Sequence, residues 1–258
     1  MTKIFDGKLF NGKVVLITGG SSGIGRATAL AFAALGAQVV VASRRETESL
    51  ETVRLLEAAG GEGLFVQTDI CKAAEVEQMV AKTIERFGRL DFAFNNAGTE
   101  GDVFVPLAEY PEETWDAVID TNLKGVFLSM KYEIPHLIES KGVIVNMSSV
   151  AGLSGRGMGA AYTASKHGVI GLTKSAASQY ARHGVRVNAV APAVIETPMG
   201  ERGFALSDPE RAARAVRLHP LGRVGTPEEV ANAVVWLCSG GASFTTGLTL
   251  TIDGGFTI

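Results

Sequence analysis

A run of four apolar residues, 14–17, leads into a glycine-rich turn, residues 18–25, and then into a helical pattern over residues 24–35. A continuously apolar run is typical of a strand that is buried on both faces, as in a parallel sheet. Gly36 follows where a left-handed cap would end the helix, and residues 37–43 read as a second buried strand. This strand–helix–strand unit restricts the chain to α/β folds with a parallel sheet.

The same alternation continues to the end of the chain. Further strands are predicted at residues 64–67, 91–94, 142–146, 185–190 and 248–252. Helices are predicted at residues 47–59, 73–87, 112–138 and 160–182. Pro135 is expected to break or kink the long third helix of this set. The pattern predicts a Rossmann-type doubly wound parallel sheet of seven strands with helices on both faces, in a single domain over residues 1–258.

One segment, residues 195–223, interrupts the alternation and is predicted to be a lid over the substrate. An ordinary surface connection remains the alternative, since length alone does not separate the two. Ser207 and Glu210 have the spacing of a capping box, which predicts a short helix to Arg217. A second helix is predicted to start at residues 226–229, with proline in its first position.

Composition excludes several classes of protein. The formal net charge is −3 and the pI about 5.9, and no basic stripe is present, so a nucleic-acid partner is not expected. No apolar run is long enough to span a membrane and the amino terminus has no apolar signal core. Cys71 and Cys238 are far apart, which argues against a disulfide framework or a metal cluster. We therefore expect a cytoplasmic protein without a metal site.

The turn over residues 18–25 has the spacing G-x-x-x-G-x-G between a strand and a helix. Glycine lets the main chain turn sharply and approach a pyrophosphate, and the helix N-terminus offers unpaired N–H groups. The turn therefore predicts a dinucleotide site. At the end of the second strand, where an acidic residue would bind the ribose of NAD, the chain has Ser43, Arg44 and Arg45. An arginine can pair with a 2′-phosphate, so NADP(H) is favoured, NAD(H) remains possible, and two solvated arginines are the alternative interpretation.

Tyr162 and Lys166 are four residues apart on a predicted helix and so share one face. A nearby fixed cation stabilises a phenolate, which would let the tyrosine exchange a proton with a substrate oxygen. Ser148 and Ser149 follow a buried strand, at the sheet edge where sites of α/β proteins form. Either hydroxyl could hold the substrate oxygen.

Together these motifs resemble those of the short-chain dehydrogenase/reductase family, the subgroup with TGxxxGxG and YxxxK motifs. The resemblance extends over about residues 12–255. The ordered matches are TGGSSGIG at Thr18, TDI at Thr68, NNAG at Asn95, TNLKG at Thr121, NMSS at Asn146, YTASK at Tyr162, VRVNAVAP at Val185 and DGG at Asp253.

The resemblance implies roles for individual residues. Tyr162 would be the general acid/base, and Lys166 would lower its pKa and bind the nicotinamide ribose. The family's serine lies thirteen residues before its tyrosine, which corresponds to Ser149, and Asn122 would hold a water in a proton relay. The cofactor contacts implied are Gly19, Ser21, Ser22, Gly23, Ile24, Gly25, Ser43, Arg44, Arg45, Asp69, Ile70, Asn96, Ala97, Gly98, Tyr162, Lys166, Pro192, Ile195 and Thr197.

The chain departs from the family at Ala193, where the family has glycine, so the loop toward Ile195 and Thr197 is expected to take a slightly different path. The resemblance also implies a homotetramer formed through the helix over residues 112–138 and the helix that carries Tyr162.

The expected function is an NADP(H)-dependent oxidoreductase for a carbonyl or secondary alcohol substrate. Alternatives are an NAD-dependent sugar or polyol dehydrogenase and a cofactor-sensing protein without turnover. The expected pocket is mostly apolar, with Arg156 and Arg202 available for an acidic group. Its apolar candidates are Phe104, Val105, Leu153, Met158, Met199, Phe204 and Leu206.

Overall fold

The protein is described here by a computed structural model that covers residues 8–155 and 158–258. Its strands are β1 Val14–Thr18, β2 Gln38–Ser43, β3 Glu62–Gln67, β4 Phe92–Asn95, β5 Val143–Met147, β6 Arg186–Pro192 and β7 Thr249–Ile252. Its α-helices are α1 Gly23–Ala34, α2 Glu46–Ala58, α3 Ala73–Phe87, α4 Glu112–Ile119, α5 Gly125–Ser140, α6 Ala160–Tyr180, α7 Pro198–Phe204, α8 Pro209–Arg217 and α9 Pro227–Cys238.

The seven strands form one parallel sheet in the order β3-β2-β1-β4-β5-β6-β7. The chain moves outward from β1 to β3 and then returns to place β4 on the other side of β1. This order confirms the predicted doubly wound sheet, and it creates a crevice between the carboxyl ends of β1 and β4.

Two layers of buried apolar side chains cover the faces of the sheet. One face packs against α1, α2 and α9, with Phe32 and Val234 fully buried. The other face packs against α3, α5 and α6, with Met79 and Leu137 fully buried. Because both faces are covered, the inner strands β1, β2, β4 and β5 consist mostly of apolar residues, which explains why they were recognisable in the sequence.

The helix predicted over residues 112–138 is interrupted at a different place from the one expected. A single π-helical turn, Asp120–Lys124, separates α4 from α5, whereas α5 continues through Pro135 to Ser140. The side-chain amide of Asn122, inside this turn, is bound to the main chain of Thr99. The irregularity therefore coincides with a tertiary contact that local sequence does not reveal.

The segment between β6 and α9 contains two helices, where the sequence predicted one. The unexpected one is α7, capped by the Thr197 side chain, which accepts from the Gly200 N–H at 3.0 Å. The second, α8, ends at Arg217 as predicted but is capped by Asp208. Ser207, the predicted cap, instead hydrogen-bonds the carboxylate of Glu201 through its hydroxyl and its N–H.

The start of α9 follows its sequence signature. The Thr226 hydroxyl accepts from the Glu229 N–H at 3.4 Å, and the Glu229 carboxylate accepts from the Thr226 N–H at 2.9 Å. This reciprocal pair is a capping box, with Pro227 in the first helical position. The capping box fixes the end of the segment between β6 and α9 at the start of α9.

Candidate active site

A cavity of about 1100 Å³ opens at the carboxyl ends of the strands. It extends from the turn after β1 to the residues after β5 and β6, and α7 and α8 close part of its rim. A volume near 1000 Å³ is at the upper end for small-molecule sites. The cavity is therefore large enough for a dinucleotide together with a small substrate.

The turn after β1 leaves the amino end of α1 free for an anion. Ser22, the N-cap residue, is extended and makes no side-chain cap to the helix N–H groups. A Cβ at Gly25 would lie 2.3 Å from the Gly19 carbonyl oxygen, so only glycine permits this close approach. Unpaired N–H groups and the positive helix end fit a pyrophosphate, so this part of the site fits the dinucleotide implied by the sequence.

The two arginines after β2 differ in their contacts. Arg45 donates through Nη2 to the hydroxyls of Ser21 and Ser22, both at 2.7 Å. In the described part of the chain, the guanidinium of Arg44 makes no hydrogen bond or ion pair, and it lines the cavity. Arg45 therefore braces the phosphate turn, whereas Arg44 is available to a ligand.

Three side chains converge at the other end of the cavity. Tyr162, Ser149 and Lys166 all line it, and the Ser149 hydroxyl acts to lower the pKa of Tyr162. Ser149, which follows β5, also accepts from the Ala151 N–H at 3.2 Å and donates to the Pro192 carbonyl at 3.4 Å. The Lys166 ammonium donates to the Met147 carbonyl at 2.9 Å and lies 5.4 Å from the centroid of the Tyr162 ring.

Burial controls the ionisation of this group. Removal from water raises the pKa of Tyr162 to about 12, although the hydrogen bond from Ser149 acts in the opposite direction. Removal from water also lowers the pKa of Lys166 to about 8. The lysine was expected to bring the tyrosine pKa down, but here the desolvation of the phenol is larger than any such effect. At neutral pH the phenol keeps its proton and is a hydrogen-bond donor.

Asn122 is buried beside this group but does not line the cavity. Its amide donates to the Thr99 carbonyl at 2.8 Å and to the Ser165 hydroxyl at 3.2 Å, and it accepts from the Thr99 N–H at 2.8 Å. A Cβ at Gly98 would lie 3.1 Å from its Oδ1 and 3.6 Å from Lys166 Nζ. The geometry therefore shows Asn122 fixing the loop after β4 next to Lys166.

The cavity is lined by every residue that the sequence analysis named as a cofactor contact. Its wall also includes Ser149, so of the four expected catalytic residues only Asn122 lies outside it. Ala193 has no positive φ, so the absence of glycine there does not strain the loop. Ile195 is buried and bridges to Gly225.

The expected substrate pocket is partly corrected. Phe104, Met158, Met199, Phe204 and Arg202 line the cavity. Other candidates do not: Val105 and Leu153 lie off its wall, and Leu206 packs with Phe204 inside the segment that carries α7 and α8. Arg156 lies outside the described residues.

Several wall residues were not found from the sequence. Arg211, Arg214 and Arg217 of α8 line the cavity, as does Glu100, whose carboxylate forms an ion pair with Arg202. The three-residue spacing of the α8 arginines was a usable signal, since it places them on one helix face. Glu100 had no local signal, because its partner is about a hundred residues away along the chain.

The described residues lack a metal centre and a membrane-spanning helix. They contain no group of three or more His, Cys, Asp or Glu side chains placed to hold a metal ion. No helix among them is both long enough and apolar enough to cross a membrane.

Comparison with known proteins gives consistent matches over almost the whole chain. Residues 19–257 match the family model described as enoyl-(acyl carrier protein) reductase. A 2,5-dichloro-2,5-cyclohexadiene-1,4-diol dehydrogenase of Sphingobium indicum is 45% identical, with 96% of this chain and 98% of that protein covered. The short chain dehydrogenase/reductase astE of Aspergillus oryzae is 43% identical, with 96% and 95% covered.

A solved structure of levodione reductase superimposes with a TM-score of 0.91 at 40% identity, over 95% of this chain and 98% of that one. Relatives with this identity over this length share the fold and the reaction class. With a parallel seven-stranded sheet, a glycine turn at the head of α1 and a serine–tyrosine–lysine group at the strand ends, the chain belongs to the short-chain dehydrogenase/reductase family.

Proposed function

We propose that the protein is an NADP(H)-dependent oxidoreductase that interconverts a ketone and a secondary alcohol, with Tyr162 as the proton donor and acceptor. The observation that carries this proposal is the meeting of Ser149, Tyr162 and Lys166 in one cavity, with the Lys166 ammonium 5.4 Å from the centroid of the Tyr162 ring. An alcohol dehydrogenase or ketone reductase needs a proton relay of this kind at the substrate oxygen.

When bound, the dinucleotide supplies or accepts the hydride at the substrate carbon. In reduction, the Ser149 hydroxyl donates a hydrogen bond to the carbonyl oxygen and polarises it. Tyr162 then gives its proton to that oxygen, so the carbon gains a hydride and the oxygen a proton. The pKa of Tyr162, raised by burial to about 12, keeps the phenol protonated and ready to donate at neutral pH. The Lys166 ammonium stabilises the negative charge of the phenolate that forms.

The preference for NADP(H) is supported by the charge at the end of β2. No carboxylate follows Ser43 directly, and the unpaired Arg44 guanidinium faces the cavity. A carboxylate would repel a 2′-phosphate, whereas a guanidinium pairs with it. An NAD-linked sugar or polyol dehydrogenase is the alternative, and such an enzyme would prefer NAD(H) to NADP(H).

We test the proposal with a panel of ketones that includes cyclic compounds, because two similar proteins are named for cyclic alcohols, 2,5-dichloro-2,5-cyclohexadiene-1,4-diol and cyclohexanol. Oxidation of NADPH and of NADH is followed by absorbance. We expect NADPH to be used at least about tenfold better than NADH, the effect of one charge-assisted pair. Faster use of NADH, or reduction of NAD by polyols, would support the alternative.

The role of Tyr162 is tested by Tyr162→Phe. We expect kcat to fall by about 10²–10⁴, the usual contribution of a general acid, while the dissociation constant for NADPH, measured by fluorescence, stays within about threefold. Persistent activity in this variant would refute the mechanism. Tight NADPH binding by the wild-type protein without turnover across the panel would favour the cofactor-sensing alternative.

We also propose a homotetramer that uses α4, α5 and α6. Trp115 on α4 is 37% exposed and Phe127 on α5 is 49% exposed, although both are large apolar side chains. Association would remove this surface from water. Light scattering tests the proposal: a mass close to four chains supports it, and a mass of one 27.0 kDa chain rejects it.

We place the enzyme in the cytoplasm. Cys71 and Cys238 are free thiols, which is typical of proteins from a reducing compartment. A fluorescent fusion at either terminus, followed by fractionation, would test this placement.

A further inference from the structure

The cavity carries positive charge that the proposed chemistry does not use. Seven basic and two acidic side chains line it, although the whole protein has a net charge of −3. Lys166 belongs to the tyrosine group, Arg44 and Arg45 flank the phosphate turn, and Arg202 is paired with Glu100. This leaves the three arginines of α8, Arg211, Arg214 and Arg217.

These three side chains project from one side of the helix into the cavity. They are spaced three residues apart along α8. The helix packs on the protein through Ala215, which contacts Val194 and Val224. All three arginines are solvent-exposed. A short helix is thus held to the protein through alanine while its long basic side chains face the cavity.

No acidic group neutralises them in the described part of the chain, where none of the three guanidinium groups forms a hydrogen bond or an ion pair. Among the described acids on and next to α8, Asp208 caps the helix, Glu201 binds Ser207, and Glu210, one turn before Arg214, forms no ion pair. Six of the other ten arginines that the structure describes, Arg54 and Arg223 among them, have a carboxylate partner. The α8 arginines therefore form an uncompensated basic cluster.

Helix stability does not account for this cluster. Arg214 and Arg217 lie in the last turn, where a cation interacts favourably with the helix dipole. Arg211, however, is the third residue of the helix, where the dipole disfavours a cation. Like charges spaced this closely also repel each other. A ligand of opposite charge is the simpler reason for all three.

The cluster lines the same cavity as Tyr162. The preceding helix α7 is tied to the loop after β4 by the Arg202–Glu100 pair, and residues of both elements line this cavity. The phosphates of the dinucleotide have binding groups of their own at the amino end of α1 and at Arg44. An anion at α8 would be additional to them.

We infer that the substrate carries an anionic group, a carboxylate or a phosphate, which Arg211, Arg214 and Arg217 bind while its carbonyl carbon lies at Tyr162. The inference rests on the proposed reduction at Tyr162 and specifies its substrate class. Guanidinium groups suit both anions because their planar N–H donors match the paired oxygens. The same chemistry could serve a phosphate of the dinucleotide, so the experiment separates the two sources.

The test compares two ketones of similar size, the anionic 4-oxocyclohexanecarboxylate and its neutral methyl ester. Each is titrated by calorimetry into the enzyme loaded with NADP⁺, which cannot reduce a ketone, so that binding is measured without turnover. We expect the acid to bind at least about tenfold more tightly than the ester, the effect of one charge-assisted contact. We expect this advantage to fall below about twofold in a triple variant, Arg211→Gln, Arg214→Gln and Arg217→Gln. The exposed Arg182→Gln, outside the cavity, serves as the control for loss of charge and should keep the advantage.

The other outcomes either overturn the inference or separate it from the proposed reaction. Equal dissociation constants for acid and ester, failure of the acid to bind, or an advantage that survives in the triple variant would overturn it. Weaker NADP⁺ binding by the triple variant would assign the arginines to the dinucleotide. A charge preference in binding without turnover of any ketone would support the anion site while rejecting the proposed reaction. Turnover without a charge preference would support the proposed reaction and reject the anion site.

Discussion

The Lys166 ammonium lies 5.4 Å from the centroid of the Tyr162 ring, and both side chains are buried. Its hydrogen bond is made to the Met147 carbonyl, so the main chain at the end of β5 holds the cation beside the phenol. The position is unfavourable for the lysine itself, because burial lowers its pKa from 10.5 to about 8. Proton uptake at this residue therefore opposes folding, which leads to a measurable effect of pH.

Lys166→Met is expected to stabilise the protein at pH 7. Between about 8 and 10.5 the unfolded chain binds the proton that the folded lysine has lost, so stability rises with pH over this window and is reduced below it. The reduction is about 3 kcal/mol at pH 7. Loss of the hydrogen bond to Met147 offsets about 1–3 kcal/mol of the gain. Denaturant unfolding should show an advantage for the variant at pH 7 that disappears or reverses at pH 10.

The matched control is Lys174→Met, at an exposed position on the same helix α6. Its effect should not change between the two pH values. If the stability change caused by Lys166→Met were also the same at pH 7 and pH 10, burial would not be disfavouring the charged form of Lys166.

The two serines after β5 allow a direct comparison between chemistry and structure. The Ser149 hydroxyl acts on the pKa of Tyr162, whereas the Ser148 hydroxyl donates to the Lys166 carbonyl at 3.0 Å. Ser149→Ala is expected to reduce kcat by about 10²-fold, comparable to removing one oxyanion donor. Ser148→Ala should keep most activity and lose about 1 kcal/mol of stability.

Initial rates and urea unfolding of both variants check this prediction. The pH profile gives a second readout, because loss of the Ser149 hydrogen bond removes an interaction that lowers the pKa of Tyr162. Alcohol oxidation by Ser149→Ala should therefore need more alkaline conditions. Equal loss of kcat in the two variants would contradict the assignment of Ser149 over Ser148.

Much of the fold could be predicted because its strands are buried on both faces. Val14, Val39 and Val145 lie on central strands and are fully buried, so each strand is a continuous apolar run in the sequence. The helix ends with local signatures, such as Gly36 and the Thr226–Glu229 capping box, were also readable. These features depend on residues a few positions apart.

The features that could not be predicted depend on side-chain contacts that the sequence pattern does not show. Asn122, in the π-helical turn, is bound to Thr99 in the loop after β4. The N-cap of α8 is Asp208, and the predicted cap, Ser207, is bound to Glu201 six residues earlier. Likewise, the sequence named Arg44 and Arg45 together, but only the fold shows that Arg45 is bound to Ser21 and Ser22 across the turn. The local sequence pattern predicts which residue types lie at a site. It does not predict which of them is free to bind a ligand.

That difference between the arginines predicts two kinds of cofactor defect. Arg44→Ala removes an unpaired guanidinium, so we expect the Kd for NADPH to rise about 10–100-fold and that for NADH to change little. Arg45→Ala removes the brace on Ser21 and Ser22, so we expect both values to rise together. Fluorescence titration of the two variants with the two cofactors checks this. A selective loss of NADPH binding in Arg45→Ala alone would exchange the two roles.

Away from the cavity, Glu133 on α5 makes the stability depend on pH in the opposite direction from Lys166. It is fully buried; its Oε2 accepts from the Asn95 amide at 3.0 Å, and its Oε1 has no partner among the described residues. Burial raises the pKa of Glu133 from 4.5 to about 7. The folded chain therefore holds a proton that the unfolded chain has lost in this window, and stability falls as the pH rises from about 4.5 to 7.

Glu133→Gln keeps the size of the side chain and its acceptor for Asn95 while removing the ionisation. We expect the variant and the wild-type protein to be about equally stable at pH 5, where Glu133 is protonated in the folded state. At pH 8 the variant should be more stable by up to about 3 kcal/mol, visible as a higher Tm in thermal unfolding. Glu139→Gln, at an exposed position on the same helix, should show no such change between the two pH values. An advantage of Glu133→Gln that is as large at pH 5 as at pH 8 would show that packing, and not ionisation, sets the stability at this position.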